Sequence, residues 1–291
     1  MIKTGIITKE ISMDFEYSLK VINELDFEYV EIDALWGKSP DELNKDEIQK
    51  VKELIKKYNK KVSCISPGLF FRVPLQNDLN EISPYGSYKE HLEKLKRTIS
   101  VAHELNTEII KVFGFGMEFW DYSWFEKGNK KGILETVAER FEEPTKIAEM
   151  EGITLAVETC FLNNVTNAYT AKKVIEELGS DYLRVCWDPA NCLYYNEASY
   201  PDGYNLIKNY IVHVHIKDGI FNTRKLHFKL CAPGKGNIKH YPEIIKSLVN
   251  NGYKGVFSLE PEYIPEGGTS EDAVRESAKE FKKILSNLQF I

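Results

Sequence analysis

The chain lacks the features that mark several large protein classes. It has no run of about 18 apolar residues, so no helical membrane span is expected. The opening MIKTGIITKE holds no apolar stretch followed by a cleavage motif. A secretory leader is therefore not expected, and a cytoplasmic location is. Cysteine is sparse: Cys64, Cys160, Cys186, Cys192 and Cys231 are odd in number, widely spaced and form no CxxC pair. Reduced thiols account for them most simply. Positive charge is in deficit, with 38 Lys and Arg against 44 Asp and Glu and a net charge of −6. A broad phosphate-contacting surface would be basic, so neither a nucleic-acid nor a membrane partner is expected. No Gly-rich loop follows the first strand candidate, which disfavours an open dinucleotide-binding sheet. No linker rich in Pro, Gly and Ser interrupts the chain, so residues 1–291 are expected to form one domain.

What is present is a regular alternation. Short apolar runs at 4–8, 29–33, 61–66, 108–114, 153–159, 183–188, 211–218 and 255–261 read as strands. Segments of helical period lie at 14–25, 45–59, 87–105, 133–151, 169–179, 203–209, 240–251 and 270–288. Asn250, Asn251 and Gly252 end the helix before the last strand. Eight strand–helix pairs predict an α/β fold of the (β/α)8 TIM-barrel type. Two long segments, 67–86 and 114–132, follow the third and fourth strands and are rich in aromatics. Loops after strands in such a barrel build the mouth where active sites form.

Charged residues gather at the ends of the last four barrel strands. Glu158, Asp188, His215 and Glu260 end or nearly end strands five to eight. Side-chain parity turns Glu158 inward with Thr154 and Ala156, and Glu260 inward with Val256 and Ser258. In YIVHVHIKDG (210–219), His213, His215 and Lys217 share the inward face. Taken singly, these acids would suit salt bridges to Lys217, Lys111 or Arg184. Three carboxylates converging with an imidazole would repel one another unless a divalent cation neutralised them. Mn²⁺ suits that donor set, with Co²⁺, Mg²⁺, Zn²⁺ and Fe²⁺ as alternatives.

The motifs LAVET (155–159), VCWDPAN (185–191), HVHIKDG (213–219), APGKGNIKHYPEIIKSLVNNGYKGVFSLEPEY (232–263) and FEYVEID (27–33) carry a wider likeness. By them the chain resembles the xylose-isomerase-like superfamily of metal-dependent sugar isomerases and epimerases, nearest its ketose 3-epimerase-like branch. The resemblance implies that Glu158, Asp188, His215 and Glu260 hold the metal. It also implies that Glu158 and Glu260 act as acid and base. That branch often places His three residues past the Asp, where this chain has Asn191. Asn can position a hydroxyl but cannot titrate. The repair endonucleases of the superfamily need several histidines for a three-metal cluster, and this chain has 6 in all.

The expected activity is isomerisation or epimerisation of a sugar or polyol ketone through a cis-enediolate. Expulsion of a β-hydroxyl from the same enediolate would make it a dehydratase or lyase instead. Lys217, His213, Asp33, Asn191 and Trp120 are candidate substrate contacts. His213 is alternatively a support for Glu158 or Asp188, and Asp33 an anchor for Lys3 or Lys61. Trp36, Phe70, Phe71, Phe115, Trp124 and Tyr194 are candidates for an apolar wall. The APGKG turn is a possible donor of backbone N–H groups to a phosphate. The aromatic segment 117–128 is expected at the interface of a homodimer or homotetramer.

Overall fold

Apolar runs of four to nine residues become strands because their alternate side chains are buried on both faces of a closed sheet. The computed structural model describes residues 2–75, 83–117, 132–222 and 227–288. Eight parallel strands close a barrel: β1 (Lys3–Ile7), β2 (Tyr29–Ile32), β3 (Lys61–Leu69), β4 (Ile109–Val112), β5 (Thr154–Glu158), β6 (Leu183–Trp187), β7 (Ile211–Ile216) and β10 (Val256–Leu259). The ring order is β1-β10-β7-β6-β5-β4-β3-β2, so the four strands expected to carry the acids are neighbours. Helices α1 (Phe15–Glu24), α2 (Lys45–Lys57), α3 (Tyr88–Glu104), α4 (Ile133–Met150), α5 (Ala168–Leu178), α6 (Tyr204–Ile207), α7 (Tyr241–Asn250) and α8 (Ser270–Ser286) surround it. This is the expected (β/α)8 barrel.

The main core lies between strands and helices. Leu155, Val157, Val185, Val214, Phe257 and Leu259 are buried there with Val137, Phe141, Val174, Ile244 and Phe281. The barrel interior is different. Inward positions hold Ala156, Cys64, Cys186, Ser66 and Ser258, which leave room for charged side chains above them. The helices start where reciprocal caps satisfy their first amides: Asn44 with Glu47, Ser87 with Glu90, and Thr269 with Asp272. Gly252, at φ +85°, turns the chain out of α7 toward the last strand.

One element was not foreseen. The chain leaves β7 into an antiparallel hairpin, β8 (Asp218–Asn222) with β9 (His227–Cys231). The expected strand at 211–218 thus stops at Ile216, and Lys217 separates two strands of different sheets. Asp218 anchors the hairpin. Its carboxylate accepts from the backbone N–H groups of Gly219 (2.7 Å), Gly234 (2.9 Å), Gly236 (2.9 Å) and Ile238 (3.1 Å). In the APGKG turn the Gly234 and Gly236 amides are therefore occupied by Asp218 and the Lys235 amide by the Ala232 carbonyl (3.0 Å), so these three are not free to receive a phosphate.

Candidate active site at the barrel mouth

Parity and strand position bring four side chains to one point. Glu158 ends β5, Asp188 follows β6, His215 lies in β7 and Glu260 follows β10. One ligand atom from each lies within 4.8 Å of the others, and all four residues are buried. Asp188 is fixed by the turn that follows it. Its Oδ1 accepts from the backbone amides of Ala190 (2.8 Å) and Asn191 (3.2 Å). His215 Nδ1 stands 3.0 Å from Glu260 Oε2 and 3.9 Å from Glu158 Oε1.

Two buried lysines offset part of this charge. Lys111, inward on β4, is 2.8 Å from Glu158 Oε2 and 3.7 Å from Glu260 Oε1. Lys217 is 2.8 Å from Asp188 Oδ2, 3.0 Å from Glu260 Oε2 and 2.6 Å from Glu262 Oε2. The contacts to Glu158 and Asp188 are close but not aligned as hydrogen bonds. Glu158 Oε2, Asp188 Oδ2 and His215 Nδ1 are thus buried without a hydrogen-bond partner among the described residues. Buried polar atoms are rarely left so. Oxygen and imidazole donors with open lone pairs at one point fit a hard or borderline divalent cation.

The environments divide the two glutamates. Burial pushes the Glu158 carboxyl up to about 7, against the pull of Lys111. Burial acts the same way on Glu260, but His215, Lys217 and Lys111 outweigh it and hold that carboxyl well below the usual range. Glu10, in the turn after β1, also lines the mouth. Burial and the nearby Glu260 push it up to about 7, although its Oε2 accepts from the Glu262 amide at 2.9 Å.

Above the cluster is a cavity of about 550 Å³. Glu158, Glu260, Lys111, Lys217, Asn191 and Asp33 face it, with Phe71, Phe113, Phe161 and Tyr194 on its walls. Tyr194 lies between Phe161 (3.9 Å between ring centres) and Phe228 of β9 (4.2 Å).

Several sequence expectations change here. His213 supports neither Glu158 nor Asp188; its Nε2 is 2.7 Å from Glu31 Oε2. Asp33 pairs with Lys9 at 3.0 Å rather than with Lys3 or Lys61. Asn191 is buried, and its amide donates to Glu158 Oε1 (3.3 Å) and the Thr159 carbonyl (3.0 Å). Phe70 and Phe115 do not wall the cavity. They pack on each other at 5.0 Å and on Phe141, within the helix layer. Trp36 packs edge-on against Phe15. Trp120, Trp124 and the interface expected at 117–128 lie, except for Met117, outside the described residues.

Lys111, Glu31 and Glu10 were not singled out as site residues from the sequence. Inward parity on β4 and β2 would have flagged the first two. Glu10 carries no such signal, since it sits in a turn.

Comparison with known proteins agrees with the barrel fold. A family model described as xylose isomerase-like TIM barrel matches residues 19–284. No curated protein matches the chain. Among solved structures, a D-tagatose 3-epimerase-like protein is 22% identical, with a TM-score of 0.73 over 99% of this chain and 98% of that one. The 3-keto-D-glucoside 4-epimerase from E. coli is 16% identical, with a TM-score of 0.73 over 98% of this chain and 100% of that one. A probable 3-DHS dehydratase from Bacillus anthracis is 17% identical, with a TM-score of 0.72 over 97% and 99%. At such identities the likeness is one of fold.

Proposed function

The chain belongs to the xylose isomerase-like TIM barrel family, and on that premise we propose that it is a divalent-metal-dependent isomerase or epimerase of an uncharged sugar or polyol ketone. The observation that carries this is the buried Glu158–Asp188–His215–Glu260 group, with three donor atoms that make no hydrogen bond, under a cavity of sugar size. These four side chains would hold the cation, Mn²⁺ by preference. When bound, it would draw charge from a carbonyl and acidify the adjoining C–H.

The chain's own residues do the rest. Glu158 and Glu260 are the carboxyl groups that take a proton from carbon and return it, and they differ in affinity for that proton. Lys111, 2.8 Å from one and 3.7 Å from the other, places a positive charge beside the developing enediolate oxygen. Asn191 orients Glu158 through its amide. The aromatic walls limit water.

Charge in the cavity supports an uncharged substrate. Each lysine facing it is already paired: Lys9 with Asp33, Lys38 with Glu47, Lys111 with Glu158 and Lys217 with Asp188. Among the described residues no unpaired cation is left to meet a phosphate or carboxylate.

The test is incubation of Mn²⁺-loaded protein with a panel of ketoses and aldoses in D₂O. Deuterium should enter at a carbon next to the carbonyl, with an epimer or isomer as product. A dehydrated product instead would make the protein a lyase acting through the same first step. Turnover of sugar phosphates alone would overturn the uncharged-substrate reading.

A further inference from the structure

We infer that Glu31 is a positioning residue that presents His215 to the cation through Nδ1. The inference rests on the metal-dependent reading of the cluster. Glu31 lies inward on β2 and is fully buried. Its carboxylate meets His213 Nε2 at 2.7 Å and His215 Nε2 at 3.2 Å from each oxygen, and it accepts from the Ser66 hydroxyl. β2 pairs only with β1 and β3, so Glu31 reaches β7 across the barrel interior and not along the sheet.

The chemistry follows from what a carboxylate can do. Glu31 as an anion has no proton to give. Its oxygens face the Ser66 hydroxyl and the Nε2 atoms of both histidines, so as a carboxylate it accepts from all three. Both imidazoles must then carry hydrogen on Nε2. In neutral His215 the lone pair is left on Nδ1. That atom is buried, without a hydrogen-bond partner, and faces Glu260 and Glu158. The ring is thus oriented before any cation arrives, with Nε2 held by Glu31 and Nδ1 turned to the cluster.

Glu31, Cys64 and His213 also lie close enough to suggest a second cation site. Glu31's oxygens are already engaged by three donors there. A cation would have to displace them, so the trio acts as a support.

The test uses the full chain, with Mn²⁺ and Zn²⁺ as probes. Long-range ¹H–¹⁵N spectra of the Zn²⁺-loaded wild type should show His215 bound through Nδ1 and protonated on Nε2. In Glu31→Gln the amide keeps the shape but offers one acceptor and one donor, so one imidazole must change tautomer. Calorimetric Mn²⁺ affinity should fall roughly 10- to 100-fold, while the metal-free variant still unfolds cooperatively. His213→Gln should keep Mn²⁺ affinity within about 3-fold, because Glu31 still accepts from His215. Binding through Nε2 in the wild type, or wild-type Mn²⁺ affinity in Glu31→Gln, overturns the positioning role alone. The spectrum decides the matter even where Glu31→Gln does not fold. A wild-type protein that binds neither cation overturns the metal-dependent reading and this inference with it.

Discussion

Glu10 shows how a mouth residue reports on its surroundings. Its carboxyl is pushed from 4.5 to about 7 by burial and by Glu260. Between those values the folded chain holds a proton that the unfolded chain has released. The group therefore adds stability below about pH 4.5 and loses it as pH rises through 7. Glu10→Gln removes that loss and can still accept from the Glu262 amide. Urea unfolding at pH 4.5, 6 and 7.5 should show the variant gaining on the wild type as pH rises. A difference that stays constant with pH would refute this. Asn191 is a second case. Asn191→Ala frees Glu158 Oε1 from its amide partner without removing a member of the metal cluster. Turnover should fall by the equivalent of about 1–3 kcal/mol, with Mn²⁺ affinity nearly unchanged in calorimetry. Loss of metal as complete as in Asp188→Ala would place Asn191 among the ligands.

At the scale of elements, the hairpin of β8 and β9 depends on one carboxylate. Asp218 receives three backbone N–H groups from the turn that returns the chain to α7 and a fourth from Gly219 beside it. Asp218→Ala leaves those donors without their acceptor and should cost at least about 2 kcal/mol in denaturant unfolding. It should also loosen Phe228 from Tyr194, so turnover should fall more steeply than global stability on mild warming. Gly236 belongs to the same lock. A Cβ there would lie 2.2 Å from Asp218 Oδ1 and 2.5 Å from the Gly219 carbonyl oxygen, so Gly236→Ala should displace the turn as well. The sequence marked this turn by its glycines, but nothing in it pointed to Asp218 as their partner. The contact spans 16 to 20 residues and joins β8 to the turn after β9, which only the folded hairpin brings together.

For the whole molecule the balance of charge at the mouth decides whether the metal-free chain folds. Lys111 and Lys217 stand among the carboxylates of Glu31, Glu158, Asp188 and Glu260 and relieve part of their repulsion. The chelated protein should therefore remain folded. Mn²⁺ at 100 times its dissociation constant should stabilise it by about 2.7 kcal/mol, read as a rise in Tm. Asp188→Asn should lose that rise. Protons compete for Glu158 and for His215, whose affinity for them is also raised, so Mn²⁺ affinity should climb with pH through about 7. Glu158→Gln and Glu260→Gln should each abolish turnover while the metal-free fold survives, since both face the mouth and not the helix layer.

The sequence alone determined the barrel and the meeting of its four strand-end residues. Strand period and strand order are local properties, and once eight strands close a ring, parity sends Glu158, His215 and Glu260 inward and Asp188 to the same rim. Helix caps such as Thr269 with Asp272 are local in the same way. Only the tertiary structure decided which charges touch. Glu31 meets His213 and His215 over a separation of 182 and 184 residues, across the barrel interior. Lys111 divides its charge between Glu158 and Glu260, and Asp33 chose Lys9 over Lys3 and Lys61. Such pairings depend on distances of a few ångströms between side chains from different strands. A pattern along the chain specifies the face a residue takes, but not which partner waits on the far side of the ring.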